Sequence, residues 1–349
     1  MIRYPARIAL LLSVLPMSTL YAADSPQLRF FHKDWEIACD NTRTCRAAGY
    51  QDDDAEAGVS VLLTRAAGAN QNPRVQLKLA DTGSAPPDSV QMHVAGRRLG
   101  AVKIDGDAKG ELDASQTEAL LAAVLKDAPI SWTAKTESWK LSTKGANAVL
   151  LKMDEFQGRL GTPGALVRKG RKSASSVAPA LPLPELVAAP VRSDEPDPRL
   201  VPAKQLTALL AELRKTLGDE DGNSCEGFDE NARSPAKLSA YRLSDSRLLV
   251  SLGCFMATYN SGDAYWVTNA LPPFAPVMVT NAGSDYSEGR IYAIQKGRGM
   301  GDCISSDTWT WDGQGFVHTS SMTTGMCKGI AAGGAWELPT LVVKVKQPK

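Results

Sequence analysis

Residues Lys169 to Ala203 read KGRKSASSVAPALPLPELVAAPVRSDEPDPRLVPA, and this stretch decides how the chain is divided. Its seven prolines and lack of hydrophobic periodicity are the composition of a semi-extended linker that builds no core of its own. The expected organisation is therefore a leader over 1–23, an N-terminal domain over 24–168, a Pro/Ala-rich linker over 169–203 and a C-terminal domain over 204–349. Arg168, Lys169, Arg171 and Lys172 open the linker as a basic cluster, expected to sit in water on the tether.

Upstream, period-2 alternation recurs. Val59, Val61 and Leu63 alternate with Ser60 and Thr64, interrupted by Leu62; Val75, Leu77 and Leu79 follow, then Val90, Met92 and Val94. The same alternation places His93 on a polar face. A helix is expected from Ser115, with Glu118 completing a capping box and Leu120, Leu121, Val124 and Leu125 on its apolar side, up to Pro129. Strands are expected around Trp139–Leu141 and Ala148–Met153, giving a mostly antiparallel, sandwich-like domain.

Downstream, a helix is expected from Lys204 to Leu217, ended by Gly218, with Leu206, Leu209, Leu210, Leu213 and Leu217 on one face. Strands follow at Leu248–Leu252, Arg290–Ile294, Thr308–Trp311, Phe316–Thr319 and Leu341–Val345, with Asp312 and Gly313 as turn residues. Trp309 and Trp311, with Phe316 and His318, form an aromatic face expected to be buried core. The fold class is mainly β, a β-rich α+β arrangement of two antiparallel domains with about one amphipathic helix each.

The first residues carry Arg3 and Arg7, then an apolar run from Ile8 to Leu15, then Ala22 and Ala23, the pattern of a signal peptide cut near Ala22 or Ala23. The expected mature product is a periplasmic or secreted protein with no transmembrane segment. The formal charge of +1 falls to −1 once the two leader arginines are lost, and near-neutrality argues against nucleic acid as a partner. Six cysteines suit an oxidising compartment. They allow 15 connectivities; proximity favours Cys39 with Cys45, Cys225 with Cys254, and Cys303 with Cys327, Cys254 with Cys303 being the main rival.

Candidate chemistry is sparse. The segment DEDGNSCEGFDE offers Asp219, Asp221, Asn223 and Glu230 as hard oxygen ligands for calcium on a glycine-permitted turn. The register departs from an EF-hand, since Ser224 stands where the sharp-turn glycine belongs, and a plain turn after a helix explains the same letters. Asp52, Asp53, Asp54 and Glu56 read as an exposed acidic turn. Among the three histidines, His32 and His318 have no evident acid or nucleophile partner in sequence, and no phosphate loop, nucleophile elbow or zinc-spaced cluster is present. No cofactor is implied, calcium aside.

The segments FFHKDWEIACDNTRTCRAAGYQ from Phe30, MDEFQGRLGTPGALVRKG from Met153, LGCFMATYN from Leu252 and GRGMGDC ending at Cys303 resemble a family of bacterial secreted proteins, domain-of-unknown-function family 1176. The N-terminal half is also loosely similar to invasion-associated locus B proteins. The resemblance implies a periplasmic location and carries no activity. The leading expectation is a non-catalytic module binding an envelope component or a protein. An envelope hydrolase using carboxylates such as Asp302, Asp307 or Glu288 competes with it, and a calcium-stabilised structural protein is the third reading.

Overall fold

The computed structural model describes residues 26–217, 225–228 and 238–347. The leader with its cleavage site, Gly218, and all four candidate calcium ligands lie outside the described residues.

The N-terminal half begins with an antiparallel run of strands: β1 (Leu28–His32), β2 (Trp35–Cys39), β3 (Cys45–Tyr50), β4 (Val59–Arg65) and β5 (Arg74–Leu79). A hairpin follows, β6 (Ser89–Val94) and β7 (Arg97–Lys103), and then β8 (Lys109–Glu111), which returns to the edge of β5. Helix α1 (Ala114–Leu125) leads to the hairpin β9 (Ile130–Ala134) and β10 (Glu137–Leu141), and α2 (Ala146–Phe156) closes the half. The strands form a six-stranded sheet ordered β1-β2-β3-β4-β5-β8 and a four-stranded sheet ordered β10-β9-β6-β7. Val59, Val61, Leu63, Val75 and Leu77 pack with Met92, Leu120, Trp132, Leu150 and Met153 in one core.

Two local expectations need correction. The capping box of α1 sits two residues earlier: the Asp113 carboxylate accepts from the Gln116 amide at 2.8 Å, and the Gln116 side chain accepts from the Asp113 amide at 3.1 Å. Ser115 instead donates its hydroxyl to Asp113. Residues Ala148–Met153 are not a strand but part of α2, because Val149, Leu150 and Met153 share a buried stripe at helical spacing. This half therefore has two helices.

The C-terminal half starts with α3 (Ala203–Arg214), whose Leu209 and Leu213 are fully buried. A four-stranded sheet follows, β12 (Ser239–Arg242), β13 (Arg247–Met256), β14 (Ser261–Asn269) and β15 (Val277–Gly283). α3 covers one face through Val250, Leu252 and Trp266. The other face meets a five-stranded sheet of β16 (Asp285–Ser287), β17 (Arg290–Lys296), β18 (Ile304–Trp311), β19 (Phe316–Thr323) and β20 (Leu338–Val342), through Leu249, Tyr265, Val267, Ile291 and Trp311. The β18–β19 connection is a four-residue loop, in which the Asp312 carboxylate accepts from the Gln314 and Gly315 amides at 2.8 Å. The fold is thus mostly β with several antiparallel sheets, and among the described residues no helix is long and apolar enough to cross a membrane.

The segment 169–203 is not a solvated tether. Its first part is pinned to the N-terminal half, with Ala178 N–H donating to Gln157 and Leu181 N–H to Thr42. Its second part contains β11 (Glu185–Val187), which pairs in parallel with β21 (Lys344–Lys346), and Ala189, Arg192 and Asp197 donate to Trp311, Arg242 and Ala240. The prolines remove donors at some positions, but the amides between them bond the edges of both halves. The side chains of the basic cluster are exposed while the backbone beneath is held, Gly161 N–H donating to Arg168 and Lys172 N–H to Gly161.

The two halves also meet directly. Leu62, the residue that interrupts the alternation of β4, lies with Ala38, Ala48 and Tyr50 on the outer face of the first sheet, where Ile330, Ala335, Trp336 and Leu338 cover it. Both faces of β4 are buried, so a strict alternation is not required there.

Candidate functional site

The disulfides join the pairs nearest in sequence: Cys39–Cys45, Cys225–Cys254 and Cys303–Cys327. Asp302 lies against the third, its carboxylate within 4.8 Å of both sulfurs. The sulfurs are joined to each other, and Asp302 is held by Arg298 at 2.7 Å and by the Gly329 amide at 2.7 Å. Arg298 keeps the Asp302 carboxyl below its ordinary range. This cluster is a braced corner rather than a metal site.

The other carboxylates proposed for hydrolysis are separate from it. Glu288 occupies the β16–β17 turn at the Trp311 end of β18, whereas Asp302 precedes the Ile304 end, about 20 Å away along the strand. Asp307, midway, pairs with His318 at 2.8 Å, so His318 does have an acid partner that sequence spacing did not reveal. The pairing depends on cross-strand register, which a bulge after Thr308 shifts. Burial pushes the Asp307 carboxyl up, but the bonds to His318 and Ser321 outweigh it and hold it low. Ser321 thus faces the carboxylate instead of the imidazole, and no nucleophile–base relay is assembled. Trp309 stacks on His318 at 4.8 Å between centroids, while Trp311 is buried in the core, so the aromatic face divides in two. His93 is half-buried and bonds Thr133 across the β6–β9 pair.

The segment from Met153 builds a buried polar knot. Asp154 and Arg65, 0% and 1% exposed, pair at 2.7 Å. The second Asp154 oxygen accepts from the Leu166 and Val167 amides, Gln157 bridges Arg65 and Arg159, and Arg159 donates to the carbonyls of Gly68 and Ala69. Burial lowers the Arg159 pKa to about 10, with Arg65 adding to the effect. The knot ties α2 and its following loop to β4.

A second network joins the halves. Tyr50 donates to Glu36 at 2.8 Å and accepts from the Met326 amide at 3.1 Å. Burial raises the Glu36 carboxyl above its ordinary 4.5. Gly325, at φ 97°, passes so close that a Cβ would stand 2.1 Å from the Tyr50 oxygen. Lys328 reaches Asp34 at 2.8 Å and Asp53 at 2.5 Å, and Trp336 donates to Ser60 at 2.7 Å. The acidic turn is exposed at Asp53, Asp54 and Glu56 as expected, and it is also tethered: Asp53 holds Lys328, and Asp52 holds Lys144 at 2.5 Å.

Beside this seam opens a cleft of about 1350 Å³. Its walls are the acidic turn, the loops at 80–87 and 106–109, the 136–140 end of the β9–β10 hairpin, and Gly329 and Ala331 from the C-terminal half. The Asp81 amide donates to Ile330 at 2.8 Å, fixing one wall to the other half. Asp54, Glu56 and Glu137 stand with Lys78, Lys109 and Lys140 in the lining, and no histidine or cysteine lines it. Burial lowers the Lys78 pKa and Lys109 adds to this, against Asp107, Asp105 and Asp81. The arrangement offers charge and hydrogen bonds to a polar ligand and lacks a relay for covalent chemistry. Of its residues, sequence reading singled out only the acidic turn; the lysines stand singly in polar positions and carry no motif.

The family model for a protein of unknown function, DUF1176, matches residues 29–343, and the chain belongs to that family. The uncharacterized protein YpfG of Escherichia coli (strain K12) is 26% identical over 370 residues, spanning 97% of this chain and 99% of the relative. No solved structure matches.

Proposed function

We propose that the protein is a non-catalytic binding module of the cell envelope, and that the cleft beside the seam holds a polar, extended ligand. The observation that carries this reading is a large concavity with walls from both halves, lined by acids and lysines set among small and apolar residues and without a histidine or cysteine to act as base or nucleophile. The leader-like N-terminus and three disulfides favour a periplasmic setting. The hydrolase reading is the weaker one, since Asp302 and Asp307 each carry a cationic or imidazole partner.

The test is thermal unfolding of the oxidised chain with soluble peptidoglycan fragments. A ligand that binds only the folded state stabilises by about 2.7 kcal/mol at a hundredfold excess over Kd. We expect a rise in Tm that the rim variant Glu137→Lys diminishes. No rise with wild type, or an equal rise with Glu137→Lys, overturns the assignment of the cleft to these ligands.

A further inference from the structure

We infer that Lys78 and Lys109 form an oxyanion subsite within the cleft, taking a carboxylate or phosphate group of the ligand. This rests on the reading of the cleft as a binding site and adds a chemical class to it.

The two lysines are direct cross-strand partners, Lys78 on β5 opposite Lys109 on β8. Side chains so placed leave the same sheet face with Cβ atoms about 5 Å apart, and like charges in that position repel. Among the described residues neither amine lies within ion-pair distance of a carboxylate, although Asp81, Asp105 and Asp107 stand near Lys78. One oxygen of Asp105 accepts from the amides of Asp107 and Lys109, both at 2.9 Å, and one oxygen of Asp81 from the Gly83 amide at 2.9 Å, so these acids, with Asp107, act on Lys78 from a distance rather than by contact. Further along the same strand pair, Glu111, two positions from Lys109, neutralises Arg74, four positions from Lys78, by a contact with both carboxylate oxygens at 2.8 and 3.0 Å. This sheet edge therefore pairs one cation by contact and, among the described residues, leaves two with no carboxylate in contact where the cleft is.

Lys78 is also partly withdrawn from water. Its row across the sheet runs through Ser60 to Tyr50, which the C-terminal half covers, and the cover stops before β8. A desolvated ammonium beside a second ammonium gains more from an anion than an exposed one does. A group with two oxygens can accept from both amines at once, which a single-atom anion cannot. The acidic rim at Asp54, Glu56 and Asp107 weakens the pull on free anions without abolishing it, so inorganic phosphate and succinate bind the paired amines more weakly than an oxyanion on a larger molecule that also satisfies that rim.

The experiment is an NMR titration of the lysine ε-methylenes in the full oxidised chain, alone, with inorganic phosphate and with succinate. We expect Lys78 to titrate below the other lysines and to move upward with one or both anions, the effective one distinguishing phosphate from carboxylate. Lys78→Gln and Lys109→Gln should each weaken anion affinity by at least about tenfold, while Lys126→Gln, outside the cleft, leaves it unchanged. A Lys78 titration indifferent to both anions, or equal weakening by Lys126→Gln, overturns the subsite. If peptidoglycan fragments stabilise the Lys78→Gln, Lys109→Gln double variant as much as wild type, the cleft remains a binding site and the subsite falls. If the anions bind and the fragments do not, the subsite stands and the fragment assignment falls.

Discussion

Two groups of basic residues in the N-terminal half contrast sharply. Arg65 and Arg159 are deeply buried, yet every nearby acceptor is used: Asp154 bonds Arg65 and two backbone amides, Gln157 bridges both arginines, and loop carbonyls take the rest. Lys78 and Lys109 are only half-buried and stand opposite one another across the strand pair, and Asp105 beside them gives an oxygen to backbone amides rather than to either amine. A satisfied buried network serves architecture, since any movement would strand a charge. An unsatisfied pair at the edge of a cavity costs stability and is retained where something else completes it. The comparison separates structure from recognition without reference to motif.

The largest break in this contrast should come from Asp154→Ala. Removing the carboxylate strands the Arg65 guanidinium and two amides, and we expect a loss of about 3–5 kcal/mol in denaturant unfolding. A loss below about 1 kcal/mol would mean that the knot does not hold α2 and its loop to the sheet.

Glu36 lies between the two cases, buried but bonded across the seam. Its carboxyl holds a proton to higher pH in the folded protein than in the unfolded chain. The stability it contributes is therefore complete below about 4.5 and is lost as pH rises through the native value. Glu36→Gln keeps an acceptor for Tyr50 and should flatten that part of the stability–pH curve, an effect on the order of 1 kcal/mol. Parallel curves for wild type and variant would remove Glu36 from the titration.

The smallest effect has the opposite sign. Lys109→Gln relieves the cross-strand repulsion and should stabilise the ligand-free chain by about 0.5 kcal/mol while weakening anion binding. Loss of stability instead would show that the two amines are already compensated.

Much of the fold was legible because single-faced burial leaves a periodic trace. Val75, Leu77 and Leu79 alternate and become β5 as expected, whereas Leu62 broke the pattern of β4 because a second core lies on its other side. Residues 148–153 satisfy strand and helix patterns alike over so short a window, and only the packing of Val149, Leu150 and Met153 decides between them. The linker's prolines argued against a core of its own, but composition does not say whose edges an extended segment will join. The cleft was least legible. Lys78 and Lys109 are brought together by the register of a three-residue strand, and the Asp307–His318 pair by a bulge, neither of which leaves a periodic trace.

The parallel pairing of Glu185–Val187 with Lys344–Lys346 has a consequence for the order of assembly. Some 161 residues separate Glu185 from Lys346, and nearly the whole C-terminal half lies between them. A short parallel contact rewards the closure of so long a loop only once the intervening strands have already brought its ends together. The strap is therefore a closing clasp, fastened after both halves have their cores, and until then its amides and those of the C-terminal strand remain open to solvent.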